Sequence, residues 1–413
     1  MTASTGRPEV ALRRDLLRRL ATPPWAGNVE RWDATRSTPS RPDPDVVVAV
    51  PARNERERIV ECLSACARSI ALSGLRVRLI VLVNGSSDDT AERARRWAAR
   101  RHAPITIVEV DFVPALAHAG AARRLALEIA CRDARPDAMV LTTDADARPL
   151  PGWVAANARH LGRGAALVCG QVLPMADEAA RLPHRLERLG ALEARYRRGA
   201  LALERLIDPD PWNRRPHHDT ASGASLATRV RHLELVGGVP LVPCGEDRAL
   251  ARRARAAGLP VVHADDVAVE VSCRLRGRAA GGMADTIRYR CREPDPLCDE
   301  AIEPAGAVHG RLVRRAALRA AWATGAGRVA TLERLGAGPG LARELAAAGS
   351  FEAAWDRYDR AVLEPARSRL RFAALPDELA RLEALVARAR ARPVAALRTP
   401  DPIDVPSNAE QSS

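Results

Sequence analysis

Short apolar segments that read as buried strands alternate with helical segments over the first 150 residues, and this alternation constrains the fold more than any other feature. The segments are rich in valine, isoleucine and leucine at successive positions. Continuous apolar character is typical of strands buried on both faces of a parallel sheet. The pattern therefore predicts an α/β fold with a central, mostly parallel sheet. The predicted strands are 46–50, 77–83, 105–110 and 138–142.

Two aspartates follow the fourth predicted strand. Asp144 and Asp146 are one residue apart, and Pro149 and Pro151 then turn the backbone. Ligands in open α/β sheets bind at the carboxyl ends of the strands. Two adjacent carboxylates are costly unless a cation or strong donors compensate them, so the pair predicts a divalent-metal and diphosphate site. By itself, an Asp-x-Asp pair is more often a solvated turn or a helix cap.

Several site classes are excluded or disfavoured by residue type. The sequence has no lysine, which excludes a P-loop and a lysine Schiff base. No G-x-G-x-x-G follows the first predicted strand, which counts against an ordinary dinucleotide-binding domain. The net charge of +13 comes from arginines spread along the whole chain, and aromatic residues make up only 3%. Specific nucleic-acid binding is therefore disfavoured, because few side chains can stack on bases.

The composition also indicates the cellular compartment in which the protein is expected. No apolar run reaches the roughly 18 residues of a membrane span, and no signal-peptide pattern opens the sequence. Eight cysteines without paired C-x-x-C spacing argue for reduced thiols. We therefore expect a cytoplasmic protein. A basic amphipathic helix at 11–20 leaves two interpretations open: packing on the main domain, or peripheral contact with the inner face of a membrane.

Five motifs occur in order between residues 46 and 282. Together they resemble the inverting family 2 glycosyltransferases of the GT-A fold. In chain order they correspond to five features of that family: the turn after the first strand, the loop after the second strand, the Gly-x-x-x-Arg helix, the DxD motif and the acceptor-side Glu-Asp motif. The motifs are Pro51-Ala52-Arg53-Asn54-Glu55, Asn84-Gly85-Ser86-Ser87-Asp88-Asp89-Thr90, Gly120-Ala121-Ala122-Arg123-Arg124, Thr143-Asp144-Ala145-Asp146, and Gly237-Gly238 with Gly245-Glu246-Asp247.

The resemblance implies an acid–base site. An inverting transfer needs a base that takes the proton from an acceptor hydroxyl while the nucleotide leaves from the opposite face of the sugar. Asp247 matches the family's second acidic position and is implied as this base, with Glu246 supporting or orienting it. The competing interpretation is that both are first-turn acids favoured by the helix dipole.

The resemblance also implies how the charge of the leaving group is neutralised. Mg²⁺ or Mn²⁺ would neutralise this charge. Asp146 would hold the metal ion, and Asp144 would contact the ribose or a metal-bound water. Arg274 and Arg278, after the last strand, would close over the diphosphate, although in an arginine-rich chain a surface role is an equally good interpretation. The lone His263 is either a third metal ligand or, more often for such a residue, structural.

The remaining donor-binding residues are implied by the motifs. One position departs from the family, which often has a carboxylate pair in the second loop where this chain has Val83 and Asn84. An asparagine side chain both donates and accepts, so uracil, guanine and thymine nucleotides all stay open. Asp88 would bind the donor or cap the next helix. The implied donor-binding residues are Pro51, Asn54, Glu55, Asn84, Asp88, Arg123, Asp144, Arg274 and Arg278.

The chain is expected to divide into an arm with a Pro-rich connector (1–44), a GT-A domain (45–282), a helical C-terminal region (283–398) and a disordered tail (399–413). The expected partners are a nucleotide-diphospho-sugar and an unknown hydroxyl acceptor, and oligomerisation stays open. Two rival functions also stay open: a sugar-nucleotide nucleotidyltransferase, and a non-catalytic arginine-rich protein at a membrane or nucleic acid. The first rival lacks support because residues 51–55 carry no Gly-rich loop.

Overall fold

The computed structural model forms two compact units. The strands and the motifs described above lie in the first, and the second is helical. The predicted disordered tail, 399–413, lies outside the described residues, as does part of the predicted connector. The described residues are 6–36, 43–132, 134–278 and 281–391. The first unit is Met1–Glu187 with His217–Pro294, and the second is Arg188–Pro216 with Asp295–Ser413.

One sheet forms the centre of the first unit, and within the described residues it has nine strands. They are Val29–Arg36 (β1), Val46–Ala52 (β2), Val77–Asn84 (β3), Ile105–Phe112 (β4), Met139–Thr142 (β5), Ala147–Pro149 (β6), Leu167–Pro174 (β7), Leu226–Arg229 (β8) and Val261–Val271 (β9). The order across the sheet is β1-β4-β3-β2-β5-β8-β7-β9-β6.

The four predicted strands are confirmed as the parallel centre of this sheet. β4, β3, β2 and β5 are neighbours and pair in parallel, as do β7 and β9, whereas β1, β6 and β8 pair antiparallel. Ala49 lies opposite Thr142, and Ala52 lies opposite Val83. The carboxyl ends of β2, β3 and β5 therefore meet at one edge, where parallel sheets bind ligands.

Helices surround the sheet in the first unit and make up the second. In chain order they are Gly6–Leu20 (α1), Ile59–Ser73 (α2), Thr90–Arg101 (α3), Ala119–Arg132 (α4), Trp153–Gly162 (α5), Ala176–Ala179 (α6), His184–Ile207 (α7), Val230–Leu235 (α8), Glu246–Ala256 (α9), Met283–Arg292 (α10), Ala305–Thr324 (α11), Arg328–Arg334 (α12), Pro339–Ala346 (α13), Phe351–Tyr358 (α14) and Leu375–Ala391 (α15). None of these described helices is long and apolar enough to cross a membrane.

The apolar residues of β2 are buried on both faces of the sheet. Val46, Val48 and Val50 pack with α2, α3 and α5, whereas Val47 and Ala49 pack with α4 and α1. This division follows from the strand period of two, which points successive side chains to opposite faces. Burial on both faces explains why β2 reads as a continuous apolar run.

The apolar face of α1 packs on the sheet unit. Leu12, Leu16 and Leu20, spaced four residues apart, are buried in the same core cluster as Trp25 and Phe112. Residues i and i+4 share one face of a helix, so this spacing directs all three leucines inward. Of the two interpretations of this helix, the structure shows packing on the main domain.

Strands β1, β6 and β8 leave no clear strand pattern in the sequence. β1 lies inside the predicted connector, and its sequence, VERWDATR, is mostly polar with only Ala34 fully buried. An edge strand of this composition lacks the alternating pattern and depends on its pairing with β4. β6 and β8 have three and four residues, too few for a periodic signal. The apolar runs at 261–263 and 267–271 predict two short strands, but the structure joins them in the single strand β9.

The arginine- and leucine-rich segment at about 177–206 predicts one long helix, but the structure has two helices there, α6 and α7. Pro183 lies between them, and proline has no N–H to continue a helical ladder. Most of α7 belongs to the second unit, where Tyr196 and Leu203 are fully buried with residues of α11 and α15. The helical character predicted for the C-terminal region is confirmed by α11–α15.

Candidate active site

Asp144 and Asp146 occupy the turn between β5 and β6, at the carboxyl edge of the parallel strands. The turn is held by its backbone, since Thr143 N donates to Ala49 O at 3.2 Å and Ala147 N donates to Asp144 O at 3.0 Å. The Cys62 thiol lies 3.3 Å from the carbonyl of Asp144. Both carboxylates are therefore presented by a fixed turn.

Arg123 lies in the second turn of α4 and is buried, with 4% of its surface exposed. Its guanidinium donates to Asp144 Oδ1 at 2.7 Å and to Glu246 Oε1 at 3.0 Å. It also donates to Thr142 Oγ1 and to Gly223 O, both at 2.9 Å. Burial alone would lower the pKa of Arg123, but Asp144 and Glu246 raise it above its ordinary value. Arg123 is therefore a permanent cation between two carboxylates.

Gly120 explains how α4 reaches the start of α9. A Cβ atom at position 120 would lie 2.3 Å from Val242 O and 3.4 Å from Glu246 Cβ. Only glycine permits this close approach. Gly120 and Arg123 thus serve one arrangement: the glycine brings the helix close, and the arginine pairs with Glu246.

Asp247 is joined to the same network through Gly223. The backbone N–H of Gly223 donates to Asp247 Oδ2 at 2.8 Å, while its carbonyl accepts from Arg123. Asp247 Oδ1 accepts from the N–H of Arg248 at 2.7 Å. Asp247 is half-buried, whereas Glu246 is buried. The structure therefore brings Asp144, Glu246 and Asp247 together through Arg123 and Gly223.

Asp146 faces a different arginine. Its Oδ2 atom lies 2.9 Å from Nη2 of Arg274, and Arg274 also forms a bidentate pair with Glu55, in which Nη1 donates to Oε2 at 2.6 Å. Burial, together with the charges of Asp144 and Glu55, raises the pKa of Asp146 to about 7, even though Arg274 acts in the opposite direction. Two carboxylates, Asp146 and Glu55, thus share one guanidinium.

The two predicted donor loops are bonded to each other. Asn54, with φ of 53°, donates its N–H to Ser86 Oγ at 2.9 Å, and its Oδ1 accepts from Ser87 N at 2.8 Å. Asp88 accepts from the N–H groups of Thr90 at 3.0 Å and Arg56 at 3.2 Å. Burial would raise the pKa of Asp88, but the hydrogen bonds from Thr90 and Arg56 lower it. Asp88 thus stabilises the loop entering α3.

The other predicted donor residues line the same edge. Pro51 lies near the end of β2, and Asn84 is the buried last residue of β3. Arg278 is exposed and donates from Nε to Asn54 O at 2.8 Å. This contact places the loop after β9 beside the turn after β2.

His263 is engaged at both ring nitrogens. Nε2 lies 2.6 Å from Nη2 of Arg255, which can only donate, and Nδ1 lies 3.1 Å from Thr220 O. The neutral ring therefore accepts at Nε2 and donates from Nδ1. His217 and His218 pack on this ring, with centroids 5.7 and 5.3 Å away. Of the two interpretations of His263, the structural one agrees with these contacts.

Three further residues shape the site and were not singled out from the sequence. Gly223 belongs to a small-residue stretch whose role sequence patterns do not reveal. Glu178, in α6, accepts from Ser272 Oγ at 2.7 Å and from Cys273 N at 2.8 Å, and pairs with Arg58. Cys62 reads from the sequence only as a helix-face residue. Each of the three contacts residues that are far away in the sequence. No local sequence pattern therefore identifies them as site residues.

The carboxylates fit a divalent cation held together with a diphosphate. Among the described residues, no group of three or more His, Cys, Asp or Glu side chains forms a metal cage. Mg²⁺ is commonly bound through one or two carboxylates, with water and substrate phosphates as the remaining ligands. Asp144 and Asp146 match that donor set.

Residues 47–217 match the model of Glycosyl transferase family 2. That segment includes β2 to β7, the Arg123 helix and the Asp144–Asp146 turn. No curated protein matches the chain.

Three solved structures are similar to this chain. A mannosyltransferase from Pyrobaculum calidifontis, in complex with GDP-Man and Mn²⁺, is 20% identical, with 95% of this chain and 86% of that chain covered and a TM-score of 0.41. S. aureus TarS 1–349, in complex with UDP, is 12% identical, with 86% and 89% covered and a TM-score of 0.39. Glucosyl-3-phosphoglycerate synthase from Mycobacterium tuberculosis is 24% identical, with 60% and 79% covered and a TM-score of 0.37.

The match over residues 47–217 covers the donor-side strands and motifs, whereas Gly223, the Glu246–Asp247 pair and Arg274 lie beyond it. Residues 47–217 therefore form a glycosyl transferase family 2 domain.

Proposed function

We propose that this protein is an inverting glycosyltransferase that moves a sugar from a nucleotide-diphosphate donor to an acceptor hydroxyl. The observation that carries the proposal is the link from Asp144 to Asp247 through Arg123 and Gly223. Because the link is short and largely buried, the donor-side and acceptor-side carboxylates are held at one edge of the sheet. Such fixed geometry is what transfer between two bound substrates requires.

Asp247 is the proposed general base. Its two oxygens each accept one backbone N–H, which orients the carboxylate and leaves lone pairs for an acceptor hydroxyl. Glu246 is the proposed orienting residue, since its ion pair with Arg123 fixes the first turn of α9. The arrangement supports removal of a proton from the hydroxyl as it attacks the sugar.

Asp146, with Asp144, is the proposed holder of Mg²⁺ or Mn²⁺. When bound, such a cation stabilises the negative charge of the departing nucleotide diphosphate. Arg274 and Arg278 are the proposed cationic contacts of the diphosphate, because no lysine is available and both lie on the loop after β9. Arg274 lies beside Asp146, which supports a place next to the phosphates.

The donor's nucleoside is proposed to lie along the ends of β2 and β3. Asn84 is the candidate for contact with the base, and the Asn54 turn and Asp88 shape the loop around it. We place the reaction in the cytoplasm, a proposal supported by eight cysteines that are all free thiols.

A panel of UDP-, GDP- and dTDP-sugars with Mn²⁺ tests the proposal. The true donor raises the thermal unfolding temperature, because a ligand selective for the folded state stabilises it. Transfer is then followed with candidate acceptors, with donor hydrolysis as a readout when water is the acceptor. NMR of the product reports the anomeric configuration.

Three outcomes contradict parts of the proposal. Retention of the donor's anomeric configuration rules out the inverting mechanism. Unchanged binding and turnover of every donor in Asp146→Asn rules out the metal assignment. Pyrophosphate release from a nucleoside triphosphate and a sugar phosphate would favour a nucleotidyltransferase instead.

A further inference from the structure

The guanidinium of Arg274 contacts two carboxylates at once. Nη2 lies 2.9 Å from Asp146 Oδ2, and Nη1 donates to Glu55 Oε2 at 2.6 Å. Asp146 is also the carboxylate assigned to the divalent cation in the proposed function. Hard cations lie about 2.0–2.6 Å from carboxylate oxygens, so the cation and the guanidinium would meet at one carboxylate. Two positive charges held by the same carboxylate repel each other. The divalent cation and the Arg274 guanidinium therefore compete for Asp146.

The backbone before Arg274 is anchored by a second carboxylate. Glu178 Oε2 accepts from Ser272 Oγ at 2.7 Å and from Cys273 N at 2.8 Å, and Glu178 Oε1 pairs with Arg58. Ser272 and Cys273 are both buried. The loop is thus fixed just before Arg274, and any exchange of partners falls to the Arg274 side chain.

Glu55 keeps the guanidinium at the site during such an exchange. Its carboxylate is 6% exposed and takes hydrogen bonds from both terminal nitrogens of Arg274. A buried carboxylate that lost this partner would be left uncompensated, so the pair with Glu55 is retained. The contact with Asp146, whose side chain is 23% exposed, is the one that can be given up.

We propose that Arg274 is an internal competitor of the divalent cation at Asp146, and that a diphosphate relieves the competition by replacing Asp146 as a partner of Arg274 Nη2 while the pair with Glu55 is kept. Cation binding and donor binding are thereby coupled: the cation binds weakly alone and tightly with the nucleotide. The inference rests on the proposed function, since it requires Asp146 to hold the cation.

The test measures Mn²⁺ affinity directly, from the electron paramagnetic resonance signal of free Mn²⁺, without any turnover. In the absence of nucleotide, Arg274→Gln binds Mn²⁺ about tenfold more tightly than the wild type, because a competing cation is gone. Arg274→Lys keeps the charge and stays close to the wild type. Addition of UDP, GDP or dTDP, whichever nucleotide the donor panel selects, raises Mn²⁺ affinity less in Arg274→Gln than in the wild type.

Arg276→Gln is the matched control. Arg276 is exposed on the same loop, and the substitution removes the same charge two residues from Arg274. Its Mn²⁺ affinity is expected to equal that of the wild type, which separates local competition from the effect of net charge. Arg274→Met, which keeps an apolar stem without the charge, carries the same expectation as Arg274→Gln if the glutamine variant does not fold.

The failure of this inference can be told apart from failure of the proposed function. If Mn²⁺ binds in a manner abolished by Asp146→Asn, but Arg274→Gln binds it no more tightly than the wild type, the competition is refuted while the metal assignment stands. If the wild type binds no Mn²⁺ with or without nucleotide, both the competition and the metal assignment fall.

Discussion

A Cβ atom added to Gly223 would lie 2.2 Å from Nη2 of Arg123, so the glycine backbone and the guanidinium are packed in direct contact. The contact lets the carbonyl of Gly223 accept from Arg123 at 2.9 Å while its N–H donates to Asp247 at 2.8 Å. One residue without a side chain thus joins a buried cation to the proposed base.

Gly223→Ala is expected to displace Arg123 and disturb both of its ion pairs. Overpacking of this kind costs about 1–3 kcal/mol of unfolding free energy, and activity falls because Asp247 loses its backbone donor geometry. Urea unfolding and donor turnover measure the two effects. Gly152→Ala is the control, since a Cβ there meets nothing within 4 Å and φ is −83°. Equal stability of the two variants would contradict the packing argument.

Arg123→Met is expected to destabilise the fold by about 3–5 kcal/mol, because it leaves the buried carboxylate of Glu246 without its cation. Chemical denaturation gives the free energy of unfolding. For comparison, Arg93→Met removes an exposed arginine paired with Asp89 on α3, and its effect should stay within about 0.5 kcal/mol. A small effect at Arg123 would mean that Glu246 is compensated by other groups.

Asp247→Asn is expected to lower kcat by about 10²–10⁴-fold, the usual contribution of a positioned general base. The asparagine Oδ1 can still accept one N–H, so folding and the KM for the donor should change little. Steady-state kinetics with saturating donor and acceptor provide the measurement. Asp265→Asn, at an exposed position of β9, is the control. A kcat within twofold of the wild type would remove Asp247 from the base role.

The contribution of His263 to stability is expected to fall as the pH drops below about 6.5. The raised pKa of Asp146 acts in the opposite direction over the same range, so the histidine contribution is read from the difference between variants. Burial, followed by the charges of Arg255 and the neighbouring histidines, holds the pKa of His263 well below its ordinary value of 6.5. The unfolded chain takes up a proton there before the folded protein does, so the free energy of unfolding rises with pH and is lost on acidification. Burial also lowers the pKa of His118, His218 and His232, which act in the same direction.

Denaturation at a series of pH values between about 7 and 5 checks this expectation. His263→Asn removes part of the slope, because the variant has no proton to take up at that position. His184→Asn should keep the full slope, since the His184 side chain is 97% exposed. An identical slope in wild type and His263→Asn would refute the assignment to His263.

Much of the sheet could be predicted from local pattern. Strands β2 to β5 are continuous apolar runs, and their carboxyl ends carry the Asn54 turn and the Asp144–Asp146 pair. β1 could not be predicted because its mostly polar sequence is ordered by pairing with β4. β6 and β8 are too short for a periodic pattern to appear.

The sequence by itself determined the fold class and the acids at the strand ends, because buried strands require apolar residues and polar groups collect where such strands stop. Only the tertiary structure decided which charges meet. Arg123 pairs with Asp144 and Glu246, and Arg274 pairs with Glu55 and Asp146, across separations of 21 to 219 residues. Ion pairs depend on distance in space, and position along the chain does not encode which of many arginines comes within reach of a given carboxylate.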